Sequence, residues 1–422
     1  MTTTKRLFAA LLTALLLSGA AFAQTELSLW YHGAGNPVER AILVGIIDDF
    51  NASQGEWQVV LEEFPQLAYN PSVVAAALAG TLPDIIDVDG PVMPNWAWSG
   101  YMQPLDLPEG ALDGFLPSTI GEWQGEVYSV GLWDAAVAIF ARRSVLEAND
   151  IRIPTLDEPW TFEEFDAVLE ALDATGEFEY VFDLGMNDRG EWYPYAFSPF
   201  LQSFGGDLID RDTFLSAEDV LNGAEAIAFR NWWQSLFERG FSPGTSQDGA
   251  DREVGFIDGR YALQWTGNWN AVRTLEEVGD DLLFLPAPDF GHGSKIGGAS
   301  WQFGVSATSE YPEGANAFIA FALQDEYLAA FSDGIGLVPS TTGAAAMTES
   351  YGPGGPLEVF YELSNQQSVI RPPTPAYVNI ALVFEKALAD IADGADVQDT
   401  LDAAVDEIDR DIRNNDGYGF GN

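Results

Sequence analysis

Few kinds of side chain are available in this chain to do chemistry. Cysteine is absent, only His32 and His292 offer an imidazole, and the lysines are Lys5, Lys295 and Lys386. Thiol nucleophiles, disulfides and thiolate metal sites are therefore excluded. A Ser-His-Asp triad would need a nucleophile elbow, and Gly297-Gly-Ala-Ser300-Trp301 lacks its G-x-S-x-G spacing. Gly352 to Gly355 neither follows a strand nor opens a helix, so it makes no phosphate loop or dinucleotide fingerprint. No H-E-x-x-H pair is present, and neither a metal nor a cofactor is expected. Carboxylates are abundant enough that a paired acid/base hydrolase stays open, because the separation of roughly 5–9 Å that defines one is invisible in a sequence.

Aromatic side chains stand out instead, at 13% of the chain with 13 tryptophans. A sugar ring has an apolar C–H face and an edge of hydroxyls, so its site needs flat aromatic platforms beside carboxylate, amide or guanidinium partners. Trp30-Tyr31-His32, Trp133-Asp134, Asn268-Trp269 and Trp301-Gln302 each offer that combination. Aromatic and acidic residues together also bind cations, which keeps a polyamine or other cationic solute as a second reading.

The elements that must position these residues follow from periodicity. Glu26–Trp30 and Trp57–Glu63 alternate as strands, Val38–Phe50 has helical spacing, Pro71–Ala79 reads as a second helix, and Ile85–Val88 as a short apolar strand. This β-α-β-α-β order points to a mainly parallel sheet flanked by helices, where ligands gather at strand carboxyl ends. Further on, Thr161 with Glu164 forms a capping box for a helix over Phe162–Ala174, and Ser216 with Asp219 opens Ala217–Arg239, stopped by Gly240. Helices are also expected over Glu313–Phe331 and Val397–Ile412, with aromatic-rich loops at Asn187–Phe204 and Tyr261–Trp269.

At the start, Lys5-Arg6, an apolar run from Leu7 to Leu17 and Ala21-Phe22-Ala23 form a Sec leader, so the mature chain is expected from Gln24. With no cysteine for lipid attachment, the expectation is a freely diffusing periplasmic protein without direct membrane insertion. About 400 mature residues call for two domains. The net charge of −47 makes nucleic acid and anionic membranes poor partners. The acids are scattered, as at Asp402, Asp406, Glu407, Asp409 and Asp411, which describes a solvated surface suited to salty surroundings.

The order of motifs resembles the extracellular solute-binding proteins of the maltose-binding type that serve ABC importers, over nearly the whole mature chain. Leu27-Ser-Leu-Trp-Tyr31 with Phe50-Asn51 is similar to the family's first strand and helix. Leu82-Pro-Asp-Ile-Ile-Asp-Val-Asp89 followed by Gly100-Tyr-Met-Gln-Pro-Leu-Asp106 resembles its most recognisable stretch, where an aspartate at the position of Asp89 binds sugar hydroxyls and Asp87 competes for that role. Gly125 to Val130 with Ala138 to Arg142, Gly297 to Trp301, and Gly334 to Pro339 resemble three crossings between lobes. Phe256 to Trp269 resembles the segment whose last tryptophan stacks on ligand, and Arg371-Pro-Pro-Thr-Pro375 the late arginine-proline motif. Where relatives carry Gly-x-Pro and a tyrosine, this chain has Gly131-Leu132-Trp133-Asp134.

The resemblance implies a two-lobed α/β periplasmic binding protein fold of type II: lobe one from residues 24–133 and 302–335, lobe two from 134–301 and 336–422. It implies capture of a mono- or oligosaccharide, or a polyol, by hinge closure, without catalysis, and delivery by a monomer to the permease subunits of an ABC importer. Trp133, Trp269 and Trp301 are the expected platforms, Asp89 and Asp134 the hydroxyl acceptors, and Arg371 the donor. Trp30, His32, Glu39, Asp87 and Asn268 complete the candidate set.

Overall fold

The structure, a computed structural model, describes residues 24–33, 37–244, 252–298 and 300–421. The leader expected over residues 1–23 lies outside them. Among the described residues the strands in chain order are β1 Thr25–Tyr31, β2 Trp57–Glu63, β3 Ile85–Asp89, β4 Met102–Gln103, β5 Ile120–Trp123, β6 Glu126–Gly131, β7 Trp133–Asp134, β8 Val137–Arg142, β9 Tyr180–Asp183, β10 Tyr261–Gly267, β11 Leu282–Leu285, β12 Ile296–Gly297, β13 Trp301–Ser306, β14 Val338–Pro339 and β15 Ser368–Val369.

The larger sheet runs β2-β1-β3-β13-β6-β5, with β4 also on β13. The alternation of β1 buries Leu27, Leu29 and Tyr31 on one face. The parallel pairings β1–β2 and β1–β3 are those the first β-α-β-α-β segment requires. The rest of this sheet is antiparallel, which corrects the mainly parallel expectation. The physical cause is the path: β13 returns from the other lobe and runs against β3, and β5–β6 is a hairpin. Its two-residue turn, Gln124-Gly125, takes positive φ at both positions, the type I′ geometry that matches strand twist.

The smaller sheet, β11-β8-β10-β9, belongs to the other lobe. Strand β8 lies between β10 and β11 and is buried on both faces except at Arg142, which explains its unbroken apolar run. Two-residue ladders, β7 with β14 and β12 with β15, lie where the chain passes between the sheets. Strand β13 begins at Trp301, opposite Asp89, one residue ahead of the lobe boundary expected at 302.

Helix Phe162–Asp173 starts with the expected capping box, Thr161 and Glu164 each receiving the other's backbone N–H. Three other expectations need correction. The helix expected from Ala217 spans Ala224–Glu238. Ser216 Oγ and the Ala217 N–H instead donate to Asp409 at 2.7 and 2.8 Å, a tertiary tie that outcompetes the local cap. Glu313–Phe331 is two helices, Pro312–Ala322 and Asp325–Ile335, broken where Gln324 turns extended with acids following at the new N-terminus. The supposed loops Asn187–Phe204 and Tyr261–Trp269 contain helix Trp192–Phe204 and strand β10. Helix Trp192–Phe204 buries residues from Tyr193 through Ser203, so it has no polar face to produce a helical period.

Candidate binding cleft between the lobes

Parallel strands β1 and β3 end side by side, which brings His32 to Asp87. The His32 Nδ1 lies 2.5 Å from Asp87 Oδ2, and the His32 backbone N–H donates to the same oxygen at 3.2 Å. Burial pushes the Asp87 carboxyl up, partly offset by His32. With Asp87 1% exposed, its role is to hold the imidazole. Beyond it the His32 ring stacks on Trp301 at a centroid distance of 3.7 Å and 7°, and Tyr69 meets Trp301 edge-on at 5.7 Å. Trp30 leans on Phe64 at 4.7 Å at the rim of the same strand end.

Glu39 and Trp133 are tied beneath this surface. Tyr31 Oη donates to Glu39, and Trp133 hydrogen-bonds the same phenol. Asp134 is fully buried and accepts from Ser118 Oγ at 2.7 Å. Asn268 is likewise buried: its Oδ1 accepts the Ala136 N–H at 3.0 Å, and its Nδ2 donates to the Gly336 carbonyl at 2.7 Å and to Tyr351 Oη at 3.4 Å. It therefore joins the segment between β7 and β8 to the segment leading into β14. Of the sequence candidates, Glu39, Trp133, Asp134 and Asn268 are thus packed under the cleft or at the crossings.

The facing wall comes from the other lobe. Arg371 Nε lies 3.0 Å from Glu191 Oε1, and its guanidinium sits 5.1 Å over the Tyr195 ring. Tyr377 Oη donates to Glu191, and Tyr195 Oη is anchored on the Ala135 carbonyl at 3.0 Å. Arg371 is 3% exposed and its Nη1 has no protein partner. Burial opposes its charge, yet Glu191, Tyr377 and Asp89 hold its pKa above the ordinary range. Burial pushes Asp89 up to about 6 and Glu191 up to about 8, despite the attraction of Arg371 for both. Asp89 from one lobe and Glu191 from the other therefore flank one cation.

Trp269 stands beside this wall, 40% exposed, with Trp192 at 6.1 Å and Tyr195 at 6.2 Å. A Cβ on Gly267 would lie 2.1 Å from the Trp269 ring, so glycine there is what admits the indole. Glu191, Trp192, Tyr195 and Tyr377 were not singled out from the sequence. The dense aromatic run after Asn187 contained Trp192 and Tyr195, but without a helical period it gave no facing, and nothing in the sequence pointed to Glu191 or Tyr377.

A partly open cavity of about 580 Å³ lies between the lobes, lined by residues that include Gly90, Trp123, Phe214, Arg371 and Phe420. Among the described residues no group of three His, Asp or Glu is placed to hold a metal ion, and no helix is long and apolar enough to cross a membrane.

Two sheet-centred lobes with chain crossings between them and an aromatic, carboxylate and arginine cleft are the architecture of a binding protein, and residues 45–352 match the model of the bacterial extracellular solute-binding proteins. The chain belongs to that family. This solute-binding protein is 25% identical over 328 residues to an uncharacterized lipoprotein of Streptomyces antibioticus, covering 74% of this chain and 70% of that one. It is 24% identical over 312 residues to the mannitol-binding protein of Pseudomonas aeruginosa, covering 68% of each chain. Its fold superposes on the cyclic alpha-maltosyl-1,6-maltose binding protein of Arthrobacter globiformis with a TM-score of 0.78 at 22% identity, covering 93% of this chain and all of that one. Solute-binding proteins bind without converting what they carry, and the family is an extracellular one.

Proposed function

We propose that this protein captures a carbohydrate, a mono- or oligosaccharide or a polyol, in the cleft between its lobes and delivers it to the permease subunits of an ABC importer. One observation carries this reading: the flat faces of Trp301 and Trp269 stand at a cleft whose polar groups are Asp89, Glu191 and Arg371. Rings present C–H groups to indoles while hydroxyls pair with carboxylates and a guanidinium. The names of the similar proteins, a mannitol binder and a cyclic maltosyl-maltose binder, support the same ligand class.

Trp30, Asp89, Trp269, Trp301, Arg371 and Glu191 contact the solute in this reading. His32 and Asp87 set the Trp301 platform, while Glu39, Trp133, Asp134 and Asn268 fix the floor and hinge. The lobes, residues 24–133 with 302–335 and 134–301 with 336–422, close on the solute, and the importer recognises the closed state. Residues 1–23 direct export, and the mature monomer works in the periplasm.

Arg371 between the two carboxylates disfavours a polyamine, whose cations would meet an occupied partner. Two carboxylates of raised pKa are also the equipment of a glycoside hydrolase, so the test must follow the solute as well as its binding. Thermal shift of residues 24–422 against neutral sugars, polyols and polyamines, with recovery of the solute, discriminates these readings. A ligand at a hundred times its dissociation constant adds about 2.7 kcal/mol of stability. A shift with a sugar or polyol recovered intact is expected; shifts with polyamines alone, or consumption of the sugar, would overturn the proposal.

A further inference from the structure

Gln24, the residue expected to open the mature chain, is built into the fold by its side chain. Its Nε2 donates to the carbonyls of Asn51 at 3.1 Å, Gln54 at 3.1 Å and Trp57 at 2.8 Å, which lie 27, 30 and 33 residues further along the chain. Two N–H groups thus serve three acceptors, so one is shared. These carbonyls call for a donor. Asn51 lies in the last turn of helix Pro37–Ser53, which has no basic residue there, and Gln54 follows its end.

The turn that presents the carbonyls is organised by another glutamine. Gln54 Oε1 accepts the N–H groups of Glu56 and Trp57 at 2.7 and 2.8 Å, and its Nε2 donates to the carbonyls of Phe50 and Trp57 at 3.2 and 2.7 Å. Strand β1 starts against this turn: the Thr25 N–H donates to the Glu56 carbonyl at 2.7 Å, and Thr25 is in register with Trp57. The amide of Gln24 is therefore held by backbone of a different element, at the end of β2 remote from the cleft.

This placement bears on one reaction. A glutamine with a free α-amino group cyclises: Nα attacks Cδ, the Nα–Cδ bond forms as the Cδ–Nε2 bond breaks, one proton passes from Nα to Nε2, and ammonia departs from a five-membered lactam. Nothing is oxidised or reduced, and no co-reactant is consumed. While residues 1–23 are attached, Nα is a peptide nitrogen and the reaction has no nucleophile. Once they are removed, the leaving group is the nitrogen that the three carbonyls hold, and its departure would take this donor from all of them.

We propose that Gln24 is an N-terminal cyclisation site that folding closes: the exported, folded protein keeps an open glutamine, and the lactam forms only in chains that have been cut but have not folded. The proposal rests on the export reading of residues 1–23 given above.

The test starts from protein exported with its leader and purified folded from the periplasm. Intact mass and N-terminal sequencing are followed while folded and urea-unfolded samples are incubated side by side; a lactam blocks sequencing and removes the mass of one ammonia. The expected result is a chain that starts at Gln24 and cyclises at least about tenfold more slowly folded than unfolded, because reaction then waits on local opening. Gln54→Ala, which dismantles the acceptor turn, should speed cyclisation of the folded protein several-fold while solute affinity stays within twofold, with circular dichroism establishing that the variant folds. A lactam already present in the isolated folded protein, or equal rates in the two samples, overturns the proposal and leaves the export boundary standing. No acceleration in Gln54→Ala overturns the assignment of the protection to these carbonyls. A mature chain that starts at any other residue overturns both the boundary and the proposal.

Discussion

The imidazole of His32 lies flat on the indole of Trp301, 3.7 Å between centroids and 7° between planes, with Asp87 gripping the imidazole from behind. One face of Trp301 is thereby occupied by protein. Asp87→Ala should release His32 and tilt Trp301. Truncating one partner of a buried hydrogen bond costs about 1–3 kcal/mol. At about 2–4 °C per kcal/mol for domains of this size, melting should fall by several degrees and solute affinity should drop with it. Calorimetry on the variant, with and without solute, measures both.

Trp269 is 40% exposed and belongs to none of the three hydrophobic cores. Trp269→Ala should weaken solute binding at least tenfold, about 1.4 kcal/mol, while leaving the melting temperature of the free protein within a degree or so. Gly267→Ala should reproduce that loss with the indole still in the chain, because its Cβ would strike the ring at 2.1 Å and displace it. Normal binding by Gly267→Ala would show that Trp269 is not held in place by this contact.

Asn268→Ala should be a stability variant before it is a binding variant. Its side chain bonds Ala136, Gly336 and Tyr351, joining two chain crossings, and its removal leaves the buried Ala136 N–H without its side-chain acceptor. A loss of about 1–3 kcal/mol in urea unfolding is expected. Full stability with lost affinity would instead place Asn268 against the solute.

Stability should fall as pH rises through neutrality. Asp87, Asp89 and Glu191 all have pKa values raised by burial in the folded state, Asp89 from 3.8 to about 6 and Glu191 from 4.5 to about 8. Between the unfolded and folded values the native state holds protons that the unfolded chain has released, so unfolding becomes easier with each step up in pH. Melting should be highest near the acid end of that window, at about pH 5, and lower at about pH 8.5. Glu191→Gln should flatten the upper part of the decline, and an unchanged slope in that variant would rule out Glu191 as its source.

Salt should stabilise the fold. A net charge of −47 repels itself, and screening shortens that repulsion to about 10 Å at 0.1 M and about 3 Å at 1 M. Melting temperature should therefore climb by several degrees between low salt and molar sodium chloride. Solute affinity should change little, since the proposed ligand is uncharged; a steep loss of binding with salt would favour a cationic solute.

Much of this molecule was legible because local rules and tertiary demands agree. The alternation of Glu26–Trp30, the spacing of Val38–Phe50 and the Thr161–Glu164 box all predicted elements that formed, since each describes a surface with one buried side. Absence of cysteine and the wealth of tryptophan narrowed the chemistry toward aromatic binding, while a paired-carboxylate hydrolase and a cationic solute stayed open on composition. Segments buried on every side escaped: helix Trp192–Phe204 has no polar face, and the tie of Ser216 to Asp409 spans 193 residues, beyond the reach of any local signal. Residue types told which side chains could meet a solute, but not which way they face. Only the folded chain put Trp133, Asp134 and Asn268 into the floor and crossings and brought Glu191 to Arg371. Those outcomes depend on how two sheets converge and how charges share one desolvated cleft, and both are set by contacts between residues far apart in the sequence.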